Sequence, residues 1–436
     1  MPREMKDSGI DWIGEIPSHW ETLRNKSLFY EINTVCDGTE GYDLLSVSEY
    51  YGVAKRAEKI SEGEYLTRAS DLSGYKICKT DDIVMNIMLA WKASLGVSPC
   101  DGIVSPAYCV YRAKQQLCSK YFHYLFRTKA YTDRFKQFST GIIDSRLRLY
   151  PDKFFALYSH VPPFDEQKAI VDFLDKKCNE VDAVIAKTQE TIEEYKKLKH
   201  SVITEAVTKG IRKNRCMKDS GVDWIGEMPV DWELIPFRHV LKERQEKNSP
   251  IKSTERLSLS IELGVTLYAD KTTNLDRFKE DFEQYKLAHT GDLVMNSMNM
   301  IVGASGVSDY FGCVSPVYYT FYDELEDHAT AKFCEYIFRS KTMLRFLFSL
   351  GKGIYAIVRG DDRVNTCRLK VSKEDLKSIP IPLPSVTEQR EIISYLQTKC
   401  AEIDTLIEKK TALLEEMETY KKSVIYEYVT GKKEVL

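Results

Sequence analysis

No stretch of this 436-residue chain stays apolar and uncharged for the roughly 18 residues that a membrane-spanning helix needs. The opening residues, MPREMKDSGIDW, lack the apolar core of a secretory signal, so the expectation is a cytoplasmic protein with no membrane partner. Paired cysteines are missing as well. The 11 cysteines are an odd number, scattered singly without a C-x-x-C, and the seven histidines are dispersed. Neither a disulfide framework nor a metal site is expected, and reduced thiols fit the cytosol. Charge of one sign is not in excess: 62 Lys and Arg against 65 Asp and Glu leave a net charge of -3, which excludes a wholly basic nucleic-acid coat and leaves local patches open. What is present is 43% hydrophobic, 29% charged and 11% aromatic residues, with a mean hydropathy of -0.34. That is the composition of an ordinary globular protein, and its length suits two or three domains.

The signatures of a catalyst are lacking too. There is no G-x-x-x-x-G-K-[ST], no H-E-x-x-H and no G-x-S-x-G. Gly351-Lys352-Gly353 is a lone glycine pair without the rest of a nucleotide-binding pattern. His160-Val161-Pro162-Pro163-Phe164 has the two prolines of an adenine-methyltransferase motif but not the Asn or Asp that would hold the target amino group, so the prolines read as the end of a strand. Pro151-Asp152-Lys153 lacks the second carboxylate-lysine element of a metal-dependent nuclease. No catalytic residue, cofactor or metal is expected in this chain.

What the chain does have is itself, twice. Met5 to Glu21, MKDSGIDWIGEIPSHWE, and Met217 to Glu233, MKDSGVDWIGEMPVDWE, share 13 of 17 residues at an offset of 217 − 5 = 212. Glu166-Gln167 and Glu388-Gln389 open two charged helical stretches at an offset of 388 − 166 = 222, so about ten residues are inserted in the second half. Between these bookends LLSVSEYYGV faces RLSLSIELGV, DDIVMNIMLA faces GDLVMNSMNM, and IVSPAYCVY faces CVSPVYYTF, alternations that predict strands joined by turns. The loops differ: Glu49-Tyr50-Tyr51 stands against Ile261-Glu262-Leu263, and Trp91-Lys92-Ala93 against Ile301-Val302-Gly303.

The two charged stretches carry a heptad seam. Pro162-Pro163 should stop a strand and Asp165 cap a helix, after which Leu174, Cys178, Val181, Ile185, Thr188, Ile192 and Tyr195 recur at spacings of 4 and 3. The second seam is Leu396, Cys400, Ile403, Ile407, Lys410, Leu414 and Met417, entered through Ser385 and Glu388 as a capping box. So narrow a stripe on helices of about 40 residues, some 60 Å long, needs a partner helix. The simplest partner is the twin, packed antiparallel with the globular parts related by an approximate two-fold axis; the alternative is that each helix packs on its own globular part. The expected fold is α+β: two similar mixed α/β domains joined by two long antiparallel coiled-coil helices, with an internal pseudo-two-fold repeat. The expected boundaries are 1–163, 164–210, 211–384 and 385–436.

A duplicated scaffold with two divergent surfaces suits a long or two-fold partner such as duplex DNA. Thr22 to Pro163 counts 19 basic against 15 acidic residues and Leu234 to Pro384 counts 21 against 20, so the bookends hold the remaining -3 − 5 = -8. That segregation runs in the direction DNA binding requires, weakly.

WIGEIPSHW at the start, the Val-Ser-Pro strand, the Pro-Pro or Pro-Leu-Pro step and Glu-Gln opening a long helix, all twice over, resemble the DNA-specificity subunit of type I restriction-modification systems across essentially the whole chain. The resemblance implies two target-recognition domains that each read one half of a split, asymmetric DNA site, and helices that fix the gap. It also implies docking of two copies of a methyltransferase subunit, which would bind S-adenosylmethionine itself, and a restriction/translocase subunit. The chain would perform no chemistry. A protein-only scaffold organising two copies of another subunit stays open beside it, separable by its lack of sequence-dependent, salt-sensitive DNA affinity.

On that reading the candidate DNA contacts in the first half are Ser48, Tyr50, Tyr51, Lys55, Arg56, Asn86, Trp91, Lys92, Ser94 and Arg146. Aromatic rings can contact sugars or thymine methyls, cations phosphates or guanine edges, and Asn86 adenine. The second-half candidates are Ser260, Glu262, Lys271, Asn296, Asn299, Ser305 and Arg359, with Glu262 accepting from cytosine. Asn86 and Asn296 are the same residue in halves expected to read different sequences, which argues for a structural use. Trp12, Trp20, Trp224 and Trp232, with Glu166, Gln167, Glu388 and Gln389, are the candidate partner contacts. Their competing reading is internal: tryptophans gluing each globular part to the helix ends, and acids in a first helical turn.

Overall fold

The structure, a computed structural model, describes residues 3–37, 41–59, 72–114, 116–271, 281–354 and 368–435. Two compact units emerge, Met1–Gln189 with Ala412–Leu436, and Glu190–Thr411. Each unit takes half of each long helix, whereas the four-part division expected from the sequence sets the helices apart as spacers.

Both units open with the repeated segment as a hairpin. Met5–Asp7 pairs with Glu15–Pro17, and Met217–Asp219 with Glu227–Pro229. Asp7 and Asp219 each accept the amide two residues on, at 2.9 and 3.0 Å, and Gly9 and Gly221 then turn at φ +73° and +68°. An Asx turn followed by a left-handed position needs Asp and Gly, which explains that part of the identity.

In the first unit Tyr108–Ala113 lies between Phe29–Ile32 and Ile83–Asn86, with Leu95–Val97 at the edge. A second sheet runs Gly52–Lys55, Asp43–Ser48, Gly102–Val104, Lys76–Cys78, its middle pair parallel. The second unit repeats the first sheet with Lys242–Glu243, Tyr318–Tyr322, Leu293–Asn296 and Ser305–Val307. Its second sheet is split into the hairpin Leu257–Ser260 with Gly264–Leu267 and the pair Lys286–Ala288 with Gly312–Val314, linked by a single parallel bridge, Arg256 to Cys313. Helices Ser119–Phe126 and Lys129–Phe138 bury Tyr121, Phe122, Phe126, Tyr131 and Phe135 against the first sheet, and Ala329–Arg339 with Lys341–Leu350 do the same in the second unit through Phe333, Ile337, Phe338, Met343 and Leu347.

The ten extra residues have a definite place. Thr140 bridges Arg148 in the first unit, and the matching strands of the second are Lys352–Ile354 and Arg368–Lys370. The offset is 212 at Thr140 and 222 at Arg148, so the insertion falls between those strands, where 355–367 lie outside the described residues.

Strand Tyr158–Val161 pairs with Glu21–Arg24, ends at Pro162-Pro163, and is followed by the first long helix, Phe164–Lys209; Pro380–Leu383 pairs with Glu233–Pro236 and leads to the second, Val386–Val429. At 46 and 44 residues both exceed the expected 40. Leu174, Cys178, Val181, Thr188 and Ile192 are buried, as are Leu396 and Ile403, so the seams face inward. Within the first unit the rings of Phe173 and Tyr428 lie 4.3 Å apart, tilted, and Asp182 pairs with Lys421 at 2.6 Å. Within the second, Lys199 meets Asp404 at 2.7 Å and Arg212 meets Glu391 at 2.8 Å. In both, advancing along one segment retreats along the other, so the pairing is antiparallel. Two capping expectations change. The first helix starts at Phe164, before Asp165, which sits inside the first turn while the Pro163 carbonyl accepts from Gln167 N–H. Ser385 accepts from Glu388 N–H at 3.4 Å, but the Glu388 carboxylate is taken by Arg215 and does not close the box.

Candidate nucleic-acid interface

In the first unit three loops converge, and one arginine ties two of them. The turn Glu49-Tyr50-Tyr51 joins Asp43–Ser48 to Gly52–Lys55, where Gly52 adopts φ +81° with its missing Cβ position 2.9 Å from His123. After strand Ile83–Asn86 the chain makes a helical turn, Ala90–Lys92, ending in left-handed Ala93. Arg127, just past its helix, donates to the carbonyls of Ala93 (2.7 Å), Leu95 (2.9 Å), Glu49 (2.7 Å) and Tyr50 (3.0 Å). The third loop, between Thr140 and Arg148, is fastened by Lys136, which bonds Asp144 at 2.8 Å and lies 4.8 Å over the Trp91 ring. Leu149 N–H donates to Ile87 O and closes the set. The surface so formed offers Tyr50 at 84% exposure and Ile142 at 99%, with Lys92 beside Trp91 and Arg146 exposed.

Other candidates of this half are engaged inside it. Asn86 is buried and its Oδ1 accepts Met88 N–H at 3.1 Å; Ser94 is buried with its hydroxyl toward Val47 O; Ser48 Oγ accepts Tyr50 N–H. Lys55 pairs with Asp43 at 2.7 Å, Tyr51 shares a hydrogen bond with Ser46, and Arg56 is half-buried.

The second unit repeats the device with other side chains. Ser260 Oγ accepts Leu263 N–H across the turn Ile261-Glu262-Leu263, and Arg339 donates to the carbonyls of Ile261 and Glu262 at 2.8 Å each. Asn296 Oδ1 accepts Met298 N–H at 3.1 Å, as Asn86 does for Met88, and Gly303 takes the left-handed place of Ala93. Ser305 is buried; Asn299 and Glu262 are exposed. The Lys271 side chain and Arg359 lie outside the described residues. The tips here are aliphatic: Leu263 is 75% exposed, with Ile261, Met298 and Val302 also open.

Behind the tips the units differ in charge. His123 sits under the first hairpin, its pKa pushed down to about 3 by burial and by the charges of Arg127 and Lys120. At the matching place, 123 + 212 = 335, the second unit has Glu335, which bonds Arg339 at 3.1 Å and accepts Val307 N–H. Burial raises its pKa more than Arg339 lowers it.

The bookend residues bind the chain to itself. Trp20 is fully buried, stacks on His160 at 5.7 Å and donates to Glu166 at 3.0 Å; Glu166 also takes Arg3 and His19. Burial raises the Glu166 pKa, yet the hydrogen bonds from His19, Arg3 and Trp20 outweigh it and hold the carboxyl below its usual range. The last carbonyl of the second helix, Val429, accepts from Tyr121 Oη (2.8 Å) and His160 Nε2 (2.7 Å), and Gly431 packs on Trp20 and Pro17. In the second unit Trp232 is buried beside Arg215, Glu388 and Gly210. Each tryptophan therefore joins the start of one long helix to the end of the other. Gln167 donates to Pro162 O and accepts Cys118 N–H, and Gln389 donates to Pro384 O. Trp224 is a core residue, and Trp12 is half-buried against Tyr131 at 4.8 Å. Glu388, Gln167 and Gln389 are buried, so these side chains are turned away from any docking partner. Among the described residues no group of three His, Cys, Asp or Glu is placed to hold a metal, and no helix is long and apolar enough to cross a membrane.

Residues 273–416 match the type I restriction modification DNA specificity domain. Over 96% of its length the chain is 24% identical to the type I restriction enzyme MjaVIII specificity subunit of Methanocaldococcus jannaschii, 93% of which is covered. The chain is thus similar to type I restriction-modification specificity subunits over nearly its whole length. The fold agrees. The HsdS subunit of Thermoanaerobacter tengcongensis aligns at TM-score 0.52 and 15% identity, over 96% of this chain and 98% of that one. A structure from work on complex assembly and conformational transition of the type I R-M system aligns at TM-score 0.66 and 14% identity, over 96% and 99%.

The residues that hold the interface together were outside the sequence candidates. Arg127 and Arg339 stand at offset 212, in LFRTKAYTDRF and IFRSKTMLRF, and that shared FR was the signal available. Arg3 and Arg215, which neutralise Glu166 and Glu388, stand at the same offset, 215 − 3 = 212, each two residues before the repeated MKDSG, and that alignment was their signal.

Proposed function

We propose that the two units each read one half of a split, asymmetric DNA site, that the paired long helices set the gap, and that two copies of a methyltransferase subunit dock on the chain, joined by a restriction/translocase subunit, in the cytoplasm. The observation that carries this reading is one clamp with two faces. Arg127 and Arg339 hold the matching hairpin turn by its carbonyls, and Arg127 the 93–95 segment as well, but the first unit presents Tyr50, Trp91 and Lys92 and the second Ile261, Leu263 and Val302. Common backbone with divergent tips is what two different half-sites ask of one fold, since base edges are read by side chains and register is set by the frame. The candidate set contracts accordingly. Of the candidates, Tyr50, Lys92 and Arg146, with Glu262 and Asn299, are left to meet DNA, while Asn86 and Ser94 hold the loops and Ser305 is buried.

The test is single-molecule mapping of methylated adenines in the host genome, comparing the intact strain, a deletion, and the deletion complemented with wild type or with the tips of residues 49–51 and 91–93 replaced. Methylation at one split motif should vanish and return, and the tip exchange should alter one half of the motif alone. Persistence of every motif in the deletion, or alteration of both halves, refutes the reading.

A further inference from the structure

The second unit contains a cationic groove. About 530 Å³ in volume, it is lined among others by Lys286, Lys352, Lys370, Lys373, Glu374 and Tyr319. Its origin is a rearranged ion pair. In the first unit Lys76 faces Glu31 at 3.6 Å. The matching residues are Lys286 and Glu243, but Glu243 is taken by Lys373 at 2.6 Å and Lys377 at 2.5 Å. Lys286 keeps a carbonyl, Tyr318 O at 2.9 Å, and among the described residues no carboxylate pairs with it. Lys352 reaches Asp375 at 3.2 Å, and Lys370, across the strand pair from it, makes no ion pair among the described residues. Lys286, Lys352, Lys370, Lys373 and Lys377 thus stand against Glu243, Glu374 and Asp375, five positive groups to three negative. Burial, and then the charge of Lys373, hold the Lys286 ammonium below the usual lysine range in spite of Glu243.

The groove is continuous with a candidate reading loop. Val371, next to Lys370, donates its N–H to Ser297 O, directly before the exposed Met298 and Asn299. We propose that the groove seats a backbone phosphate of bound duplex DNA, held by Lys286, Lys352 and Lys370, and so fixes the register of the 297–303 loop over the bases. A phosphodiester is an anion that brings no sequence information, which fits a contact beside a reading loop and not within it. The proposal rests on the second unit being a DNA reader.

The test is the salt dependence of duplex binding by the full chain, alone and assembled with its methyltransferase subunit, using a labelled duplex between roughly 50 and 200 mM salt. Each lost phosphate contact lowers the slope of log K against log salt by about 0.9, so Lys286→Met with Lys370→Gln, which empties a groove for one phosphate, should lower it by about 0.9. Lys352→Gln with Lys370→Gln changes two side chains at the edge of the groove and guards against a folding defect; it should move the slope the same way, and Lys286→Arg with Lys370→Arg should restore it. Wild-type slope in both neutral pairs overturns the groove and leaves DNA reading intact. Loss of the methyltransferase subunit at unchanged slope means that the groove takes an acidic protein segment, and also overturns it. No duplex binding by the wild type in either form overturns both readings.

Discussion

Arg127→Ala is the substitution that should cost the first unit most at its recognition surface. The guanidinium spans two loops through carbonyls of Glu49, Tyr50, Ala93 and Leu95 at 2.7 to 3.0 Å. On truncation the Glu49 and Tyr50 carbonyls, at the hairpin tip, regain water. Those of Ala93 and Leu95 lie deeper, and an unmet buried acceptor costs about 1–3 kcal/mol. Two of them give about 2–6 kcal/mol. Against this stands the relief of a cation whose pKa burial already lowers, so a net loss of about 3 kcal/mol is expected. Urea unfolding would read the loss, and native-state amide exchange would localise it, with residues 48–51 and 93–95 losing protection together. Arg127→Lys should fall between, since a point charge cannot reach both loops. A change under about 0.5 kcal/mol, or exchange that rises in one loop only, would refute the clamp.

Other outcomes follow from the same structure. Gly431→Ala places a Cβ 2.4 Å from the Pro17 ring at φ +71° and should cost about 2–3 kcal/mol in thermal unfolding, more than Gly210→Ala, whose nearest contact is 3.0 Å; the reverse order would deny the Pro17–Trp20 seat. His123 and His160 titrate at about 3 and about 4 in the folded chain, below the unfolded value near 6.5, so the unfolded state binds protons first and stability falls as pH drops from about 6.5 toward 4, by ~3 kcal/mol for His160 alone. Glu335 has the opposite sign: its raised pKa makes its contribution greatest in acid and lost as pH rises above about 4.5, so Arg339→Ala should be tolerated better at low pH than at neutrality, and Glu335→Gln should flatten the dependence. Flat pH profiles in urea would count against both burials.

The periodic features were legible because periodicity is a one-dimensional signal. The repeat, its strands and the two helices stand where alternation and heptads put them, and the turn after Asp7 follows from residue types with few conformational options. The helix starts were less legible, since Asp165 and Phe164 differ only in whether the Pro163 carbonyl is used, a choice settled by Gln167. The bookend pairs misled for a different reason. Glu166 and Gln167 repeat as an exposed contact would, but their partners, Arg3 and Cys118, lie 163 and 49 residues away. Spacing along the chain carries no trace of such a contact. Arg127 escaped for the same cause: its targets are backbone carbonyls, which every residue has.

The tryptophan nodes bear on how the gap can be set. Trp20 gathers Glu166 and Gly431, and Trp232 stands with Glu388 and Gly210, so the ends of both helices are fixed by residues other than those of the proposed recognition loops. Helix length is then a separate variable. One heptad added to each helix, between Gln189 and Glu190 and between Thr411 and Ala412, keeps both seams in register and both nodes intact. It adds about 10 Å at 1.5 Å per residue, close to three base pairs of duplex. Methylome mapping of a strain carrying the paired insertion should return both half-sites unchanged with a spacer longer by about three base pairs. An insertion in one helix only throws its seam out of step with its partner and should abolish modification. If the paired insertion changes a half-site, the nodes do not insulate the recognition surfaces from the helices; if the spacer stays the same, the helices do not set the gap.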